Sequence, residues 1–338
     1  MNSIARATPD ERKALFSNTS VKSGLSPAIV EKDFWVVWTL DYLFARSPWR
    51  NQLALKGGTS LSKAFGLIKR FSEDIDLILD WRLLGYGLHE PWEKRSNTQQ
   101  DLFNEAANAR SAAFLKDVFV PRVKSDLENE SGLALDIGMD ATDPNTVVFR
   151  YPCAFGDASI LREIRIESGA LAAWTPAKTC DIVPYAAEQY PHLFKNLAAH
   201  VYTVAPERTF WEKATILHRE AMRTPERGLP PSRYSRHYYD LWCLCQSDVR
   251  SRALADIPLL DAVVAFKRKF YRCSWAHYEL ATASEISLMP PEHAKAALEA
   301  DYRHMQNMIF GPRPRFLEIL EVIRELERGI HTVVTRCT

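Results

Sequence analysis

The sequence predicts an α+β (α/β) domain followed by a helical one, and three observations carry that prediction. Strand-like segments occur only in the first half, interleaved with helical stretches, whereas helical periodicity alone continues beyond Pro206. Pro176, Pro184, Pro191 and Pro206 punctuate the stretch between, which places the boundary at residues 205 and 206. Of the 338 residues, 46% are hydrophobic and 25% charged, enough apolar material for two packed cores.

The elements follow in order. Residues 27–45 read as a helix, with Val30, Phe34, Val37, Leu40 and Leu43 at helical spacing. Leu53–Leu55 is a short apolar strand broken by Gly57 and Gly58, and Thr59 or Ser60 is placed to cap a helix running to about Arg70. Residues 74–79 give the strongest strand signal. A helical stretch over 99–130 precedes two strands, Thr146–Tyr151 and Glu163–Glu167. The second half predicts helices over about 207–223, 233–246, 258–273, 291–309 and 313–328.

Bulk charge excludes little: a formal net charge of +1 selects neither an acidic nor a basic partner, so any nucleic-acid surface must be local. The six cysteines, Cys337 among them, form no C-x-x-C pair, and Cys243 and Cys245 read as buried thiols. Met1–Arg12 lacks an apolar core of signal-peptide type, and no apolar run reaches the ~18 residues of a membrane span. A cytoplasmic protein with no membrane association is expected.

The chemistry concentrates in Arg70–Leu77. Strand alternation puts Asp74 and Asp76 on one face and Ile75, Leu77 and Leu79 on the other, with the two acids roughly 7 Å apart at Cα. Two like charges this close call for a compensating cation, and Mg²⁺ commonly takes one or two carboxylates and completes its shell with phosphates and water. Taken alone, the pair is equally compatible with two solvated acids at a strand end. Upstream, Gly57-Gly58-Thr59-Ser60 between a strand and a helix offers backbone N–H groups to an anion, and Lys63 falls in the first helical turn, within reach of a phosphate. A phosphate cradle leading into a two-acid strand is the juxtaposition phosphoryl transfer requires.

LALKGGTSLSKAF followed by RFSEDIDL resembles the signature of polymerase-β-superfamily nucleotidyltransferases, most closely the AbiEii-type toxins of abortive-infection and type IV toxin–antitoxin systems. PERTFWEKATILHRE matches the family's later lysine helix, with Lys213 and Arg219; RHYYDLW matches its final motif, with Asp240; and EKDFW, from Glu31, is similar to its first helix. The resemblance covers residues 31–240. It implies a mixed sheet flanked by helices, and a helical domain contributing Lys213 and Asp240 to the cleft. Catalytic roles fall to Asp74, Asp76, Lys213 and Asp240, and nucleotide contacts to Gly57, Gly58, Thr59, Ser60, Lys63 and Arg219. It also implies an NTP substrate with Mg²⁺ (or Mn²⁺), nucleotide addition to tRNA that halts translation, and a separate antitoxin protein.

Read without the family, Lys213 edges the apolar stripe of its helix, where a lysine can equally snorkel, and Arg219 lies on the opposite side. Asp240 sits beside Leu244 and needs a partner: Lys213, Arg236, a nucleotide or a metal-bound water. The superfamily resemblance further implies a third metal carboxylate on a neighbouring strand, for which Glu167 is the first choice and Asp136 the second, although ordinary solvated strand faces look the same. Arginines over residues 204–237, interleaved with Trp211, Tyr234, Tyr238 and Tyr239, and Lys267–Arg272 around Phe270 and Tyr271, suit RNA or a salt-bridged surface. A protein hydroxyl or a small molecule such as an aminoglycoside is the rival acceptor, and a nucleotide-binding module without turnover is the rival outside catalysis.

Overall fold

The computed structural model describes residues 1–157, 160–169 and 171–335, with side chains to residue 333; Cys337 lies outside the described residues. The chain folds as two compact units. The first holds Met1–Phe65 and Phe71–Val204, and the second Gly66–Arg70 and Ala205–Thr338. The fold is α+β.

The first unit is built on a seven-stranded mixed sheet: β1 (Leu53–Lys56), β2 (Ile75–Leu79), β3 (Asp136–Met139), β4 (Thr146–Arg150), β5 (Ile164–Gly169), β6 (Ala177–Ile182) and β7 (Ala199–Val204). Their order is β3-β4-β5-β2-β1-β7-β6. β1 runs antiparallel to β2 and parallel to β7, and β2 runs parallel to β5. Leu53, Leu55, Ile75, Leu77, Ile166 and Val201 turn to one face and join the main core.

The helix Pro27–Asp41 fills that core. Its spacing suggested a single apolar face, yet Val30 through Asp41 are all buried, with Phe34, Trp35 and Trp38 fully enclosed. A helix hydrophobic around most of its girth is a core helix, not a surface one. Ser26 caps its start through the Ile29 N–H (3.3 Å).

Three strands escaped the sequence reading. β6 is polar and largely exposed along its length, β3 is four residues with a glycine inside, and β7 lies in the proline-punctuated stretch. The helix after Gly57-Gly58 is also shorter than expected. It comprises Gly57–Thr59 and a π-helical turn over Ser60–Ala64, and Gly66 (φ 63°) leaves the helical region rather than letting it run to Arg70.

The second unit is helical, with Pro206–Ala221, Ser235–Cys245, Ile257–Phe270, Glu292–Met305 and Phe316–Thr335 as its longer elements. Gly66–Arg70 belongs to it: Arg70 bridges Ile309, and Phe310 N–H donates to the Lys69 carbonyl (2.9 Å). Among the described residues no helix is long and apolar enough to cross a membrane.

Candidate active site

β1 delivers the glycine turn and β2 the two acids, and antiparallel register pairs Lys56 with Asp76. Asp76 is half-buried on the face opposite Ile75 and Leu77, which are fully buried, and Asp74, also half-buried, lies immediately before the strand, which begins at Ile75 rather than at residue 74. Gly57 adopts φ 77°, a left-handed conformation that glycine takes without penalty. Its missing side chain makes room for an acid, because a β-carbon at Gly57 would stand 1.9 Å from Asp76 Oδ2. The turn and the carboxylate are thus built against one another.

The hydroxyls of the turn do not cap the helix as expected. Lys56 occupies the cap position and makes no capping side-chain hydrogen bond, while Thr59 Oγ1 donates to the Asp74 carbonyl and Ser60 Oγ to the Gly57 carbonyl (2.8 Å). Thr59 therefore ties the turn to the backbone of the acid strand, and the turn's N–H groups are not consumed by its own side chains.

Lys63 is not free to point at a phosphate. Its ammonium lies 2.8 Å from Asp33 Oδ1, 8% exposed, and 3.6 Å from the centroid of the Tyr185 ring. Asp33 also accepts from Tyr185 N–H (2.7 Å). Burial pushes the Asp33 carboxyl upward in pKa, and Lys63 opposes that shift.

Lys63 is one part of a larger arrangement that sequence reasoning met only as a family likeness. Glu31, Lys32 and Asp33 are consecutive and buried, and on a helix they point about 100° apart, each toward a different element. Glu31 accepts from Ala154 N–H (2.9 Å) and Phe155 N–H (3.1 Å); Lys32 donates to Glu73 Oε2 (2.8 Å) and the Leu161 carbonyl (2.9 Å). Glu73 immediately precedes Asp74. The one helix thus grips the residue before the acid strand through Lys32 and the glycine-turn helix through Asp33. Charges set inside a run as apolar as VEKDFWVVW are the signal available in the sequence, since buried charges are paired.

The third-acid candidates separate cleanly. Glu167 on β5 is in register with Asp76 on the adjacent strand, its side chain 47% exposed and 3.9 Å from Arg165. Asp136 lies on the edge strand β3, three places from β2, opposite Arg150 at 3.4 Å. Among the described residues no three His, Cys, Asp or Glu side chains converge as a ready metal site. Two carboxylates with phosphates fit Mg²⁺, and the cradle at Gly57 fixes the position of one of them.

In the second unit Asp240 is fully buried and held by two cations. Lys213 Nζ lies 2.7 Å from Oδ2, and Arg70 forks onto both oxygens at 2.7 and 2.8 Å. Burial works to raise the Asp240 pKa, but the two charges and their hydrogen bonds outweigh it and hold the carboxyl well below the usual range. Lys213 shares its acid with Arg70, so burial prevails and its pKa is lowered. The partner of Asp240 is Lys213, as one sequence alternative had it, but the second cation is Arg70, not Arg236.

Arg219 donates to Glu220 (2.9 Å) and Tyr234 Oη (2.6 Å). The arginine-rich stretch is partly neutralised, with Arg208 on Glu212 (3.1 Å) and Arg223 on Glu220 (2.7 Å). Trp211, Tyr238 and Tyr239 are core residues, so they cannot stack bases. Outside the core stand Tyr234, its ring 5.7 Å from the Arg219 guanidinium, Trp275, with the guanidiniums of Arg219, Arg223 and Arg227 between 5.0 and 5.8 Å from its ring, and the exposed Tyr271 beside Lys267.

The match to a family model agrees with the motif reading. The family model described as the nucleotidyl transferase AbiEii toxin of a type IV toxin–antitoxin system matches residues 38–322. Among solved structures the chain is similar to MenT4, a nucleotidyltransferase toxin from Mycobacterium tuberculosis H37Rv, at 16% identity and a TM-score of 0.41, over 95% of this chain and 98% of that one. A search of curated proteins finds no match.

Proposed function

The chain belongs to the AbiEii family of nucleotidyltransferase toxins of type IV toxin–antitoxin systems, and on that premise we propose that it transfers a nucleoside monophosphate from an NTP to the 3′ end of tRNA in the cytoplasm, blocking translation until its antitoxin intervenes. The observation that supports this reading above all is the Asp76 carboxylate seated against the side-chain-free Gly57, which brings an acid pair and a phosphate-accommodating turn together.

The proposed roles follow from position. Gly57, Gly58, Thr59 and Ser60 accept the triphosphate against backbone N–H groups. Asp74 and Asp76 present their carboxylates to Mg²⁺ (or Mn²⁺), with Glu167 the nearest further acid in register. The divalent ion, when bound, neutralises charge on the triphosphate and on the departing pyrophosphate. An acceptor hydroxyl oxygen then bonds to the α-phosphorus as the bond to pyrophosphate breaks, and a carboxylate of the pair takes the hydroxyl proton. Lys63 serves as a positioning residue through Asp33, and Lys213 and Asp240, locked with Arg70, position the second unit's helices.

Purified protein incubated with labelled NTPs, Mg²⁺ and tRNA transfers label that ribonuclease removes. Label that survives ribonuclease shifts the acceptor to protein or a small molecule, and transfer by Asp76→Ala at the wild-type rate removes the acid pair from the chemistry.

A further inference from the structure

A cavity of about 470 Å³ opens at the end of the first unit's sheet away from the glycine turn. Its walls include Phe44, Arg50, Arg82, Trp174, His200 and Tyr202. That mixture of aromatic faces and cationic groups suits a planar group attached to an anion. Among the described residues Arg50 is exposed and paired with no carboxylate; its guanidinium reaches only the Ser47 carbonyl, at 3.4 Å. Arg82 and His200 are tied to Asp80 and Asp181 respectively, so they are held in place at the cavity. Trp174 packs on Ala54, Ile78, Ala172 and Val204, which steadies its ring.

Register relates this cavity to the acid pair. Leu55 pairs with Thr203, so Tyr202 and His200 lie on the face of the sheet that Ala54 and Lys56 share, and Lys56 pairs with Asp76. Thr179, opposite Tyr202, brings β6 to the same face. Tyr202 stands one row of residues from the Asp76 row, about 7 Å along the strands and about 10 Å across two of them. An unstacked RNA strand covers that interval.

We propose that this cavity binds a nucleotide of a single-stranded RNA just upstream of the end that reaches Asp76, stacking its base on Tyr202 or Trp174 and setting its phosphate against Arg50. The inference rests on the RNA-transfer reading for its biological sense, but its test does not. A 5′-fluorescein-labelled single-stranded oligoribonucleotide is titrated by anisotropy against full-length wild type, Arg50→Ala/Tyr202→Ala and His200→Glu, while calorimetry follows a non-hydrolysable NTP with Mg²⁺. All three substituted side chains are exposed, and melting curves verify folding. Each variant binds the oligonucleotide about tenfold or more weakly, with a shallower salt dependence, and binds the NTP as wild type does. Oligonucleotide affinity within about twofold of wild type in both variants overturns the assignment, as does a loss confined to the NTP. If wild type transfers no label to RNA while the variants still lose the oligonucleotide, the transfer reading falls and the cavity assignment stands.

Discussion

Gly57 and Asp76 occupy each other's space: a single β-carbon on Gly57 would lie 1.9 Å from Asp76 Oδ2 and 2.6 Å from its Cγ. Gly57→Ala therefore displaces the carboxylate and also strains a left-handed backbone, by about 1–2 kcal/mol. Gly24 separates the two effects, because it has φ 74° and open space around its would-be β-carbon. Gly24→Ala is expected to lower stability alone, whereas Gly57→Ala also lowers nucleotide transfer by about a hundredfold, the usual consequence of an ångström of misplacement. Equal activity in the two variants contradicts the cradle.

The buried clamp predicts a stability effect at a position the sequence assigned to nucleotide contact. Lys63→Met leaves Asp33, 2% exposed, without its cation and is expected to cost about 3–5 kcal/mol in denaturant unfolding. Lys63→Met/Asp33→Leu removes both charges and recovers most of that loss. A single variant as stable as wild type argues that Lys63 is spent elsewhere.

Asp240 gives a pH test. Its folded-state pKa lies below its ordinary value of 3.8, so its stabilisation is fully present above that value and disappears as the pH falls through the depressed one. Asp240→Asn leaves Arg70 and Lys213 buried without a counter-charge, and unfolding at pH 7 is expected to show a deficit of about 3–5 kcal/mol. The gap between wild type and variant begins to narrow below about pH 4, where the carboxyl of the unfolded chain takes up its proton while the folded one stays ionised. A gap unchanged at pH 3 contradicts the assignment of Asp240 as the acid of the triad.

These residues mark where sequence reading works and where it stops. The glycine turn and the acid strand were legible because both are local: two adjacent glycines break a strand, and period-two alternation sorts Asp76 from Ile75 and Leu77. Partners were not legible. Arg70 meets Asp240 across 170 positions, and Lys32 meets Glu73 across 41, distances over which no periodicity carries information. β6 was missed because the sheet's edge position tolerates a polar strand that shows no apolar alternation. The aromatic residues among the arginines misled for a related reason, since Trp211, Tyr238 and Tyr239 follow helical spacing into the core.

The central claim is that Asp74 and Asp76 together hold a divalent ion with the triphosphate, and Mn²⁺ binding reads it directly. Electron paramagnetic resonance of Mn²⁺ with a non-hydrolysable NTP is predicted to show protein-bound metal for wild type and its loss for Asp74→Asn/Asp76→Asn, with the melting curve of the variant retained. A double variant that binds the Mn²⁺–NTP complex as tightly as wild type contradicts the claim.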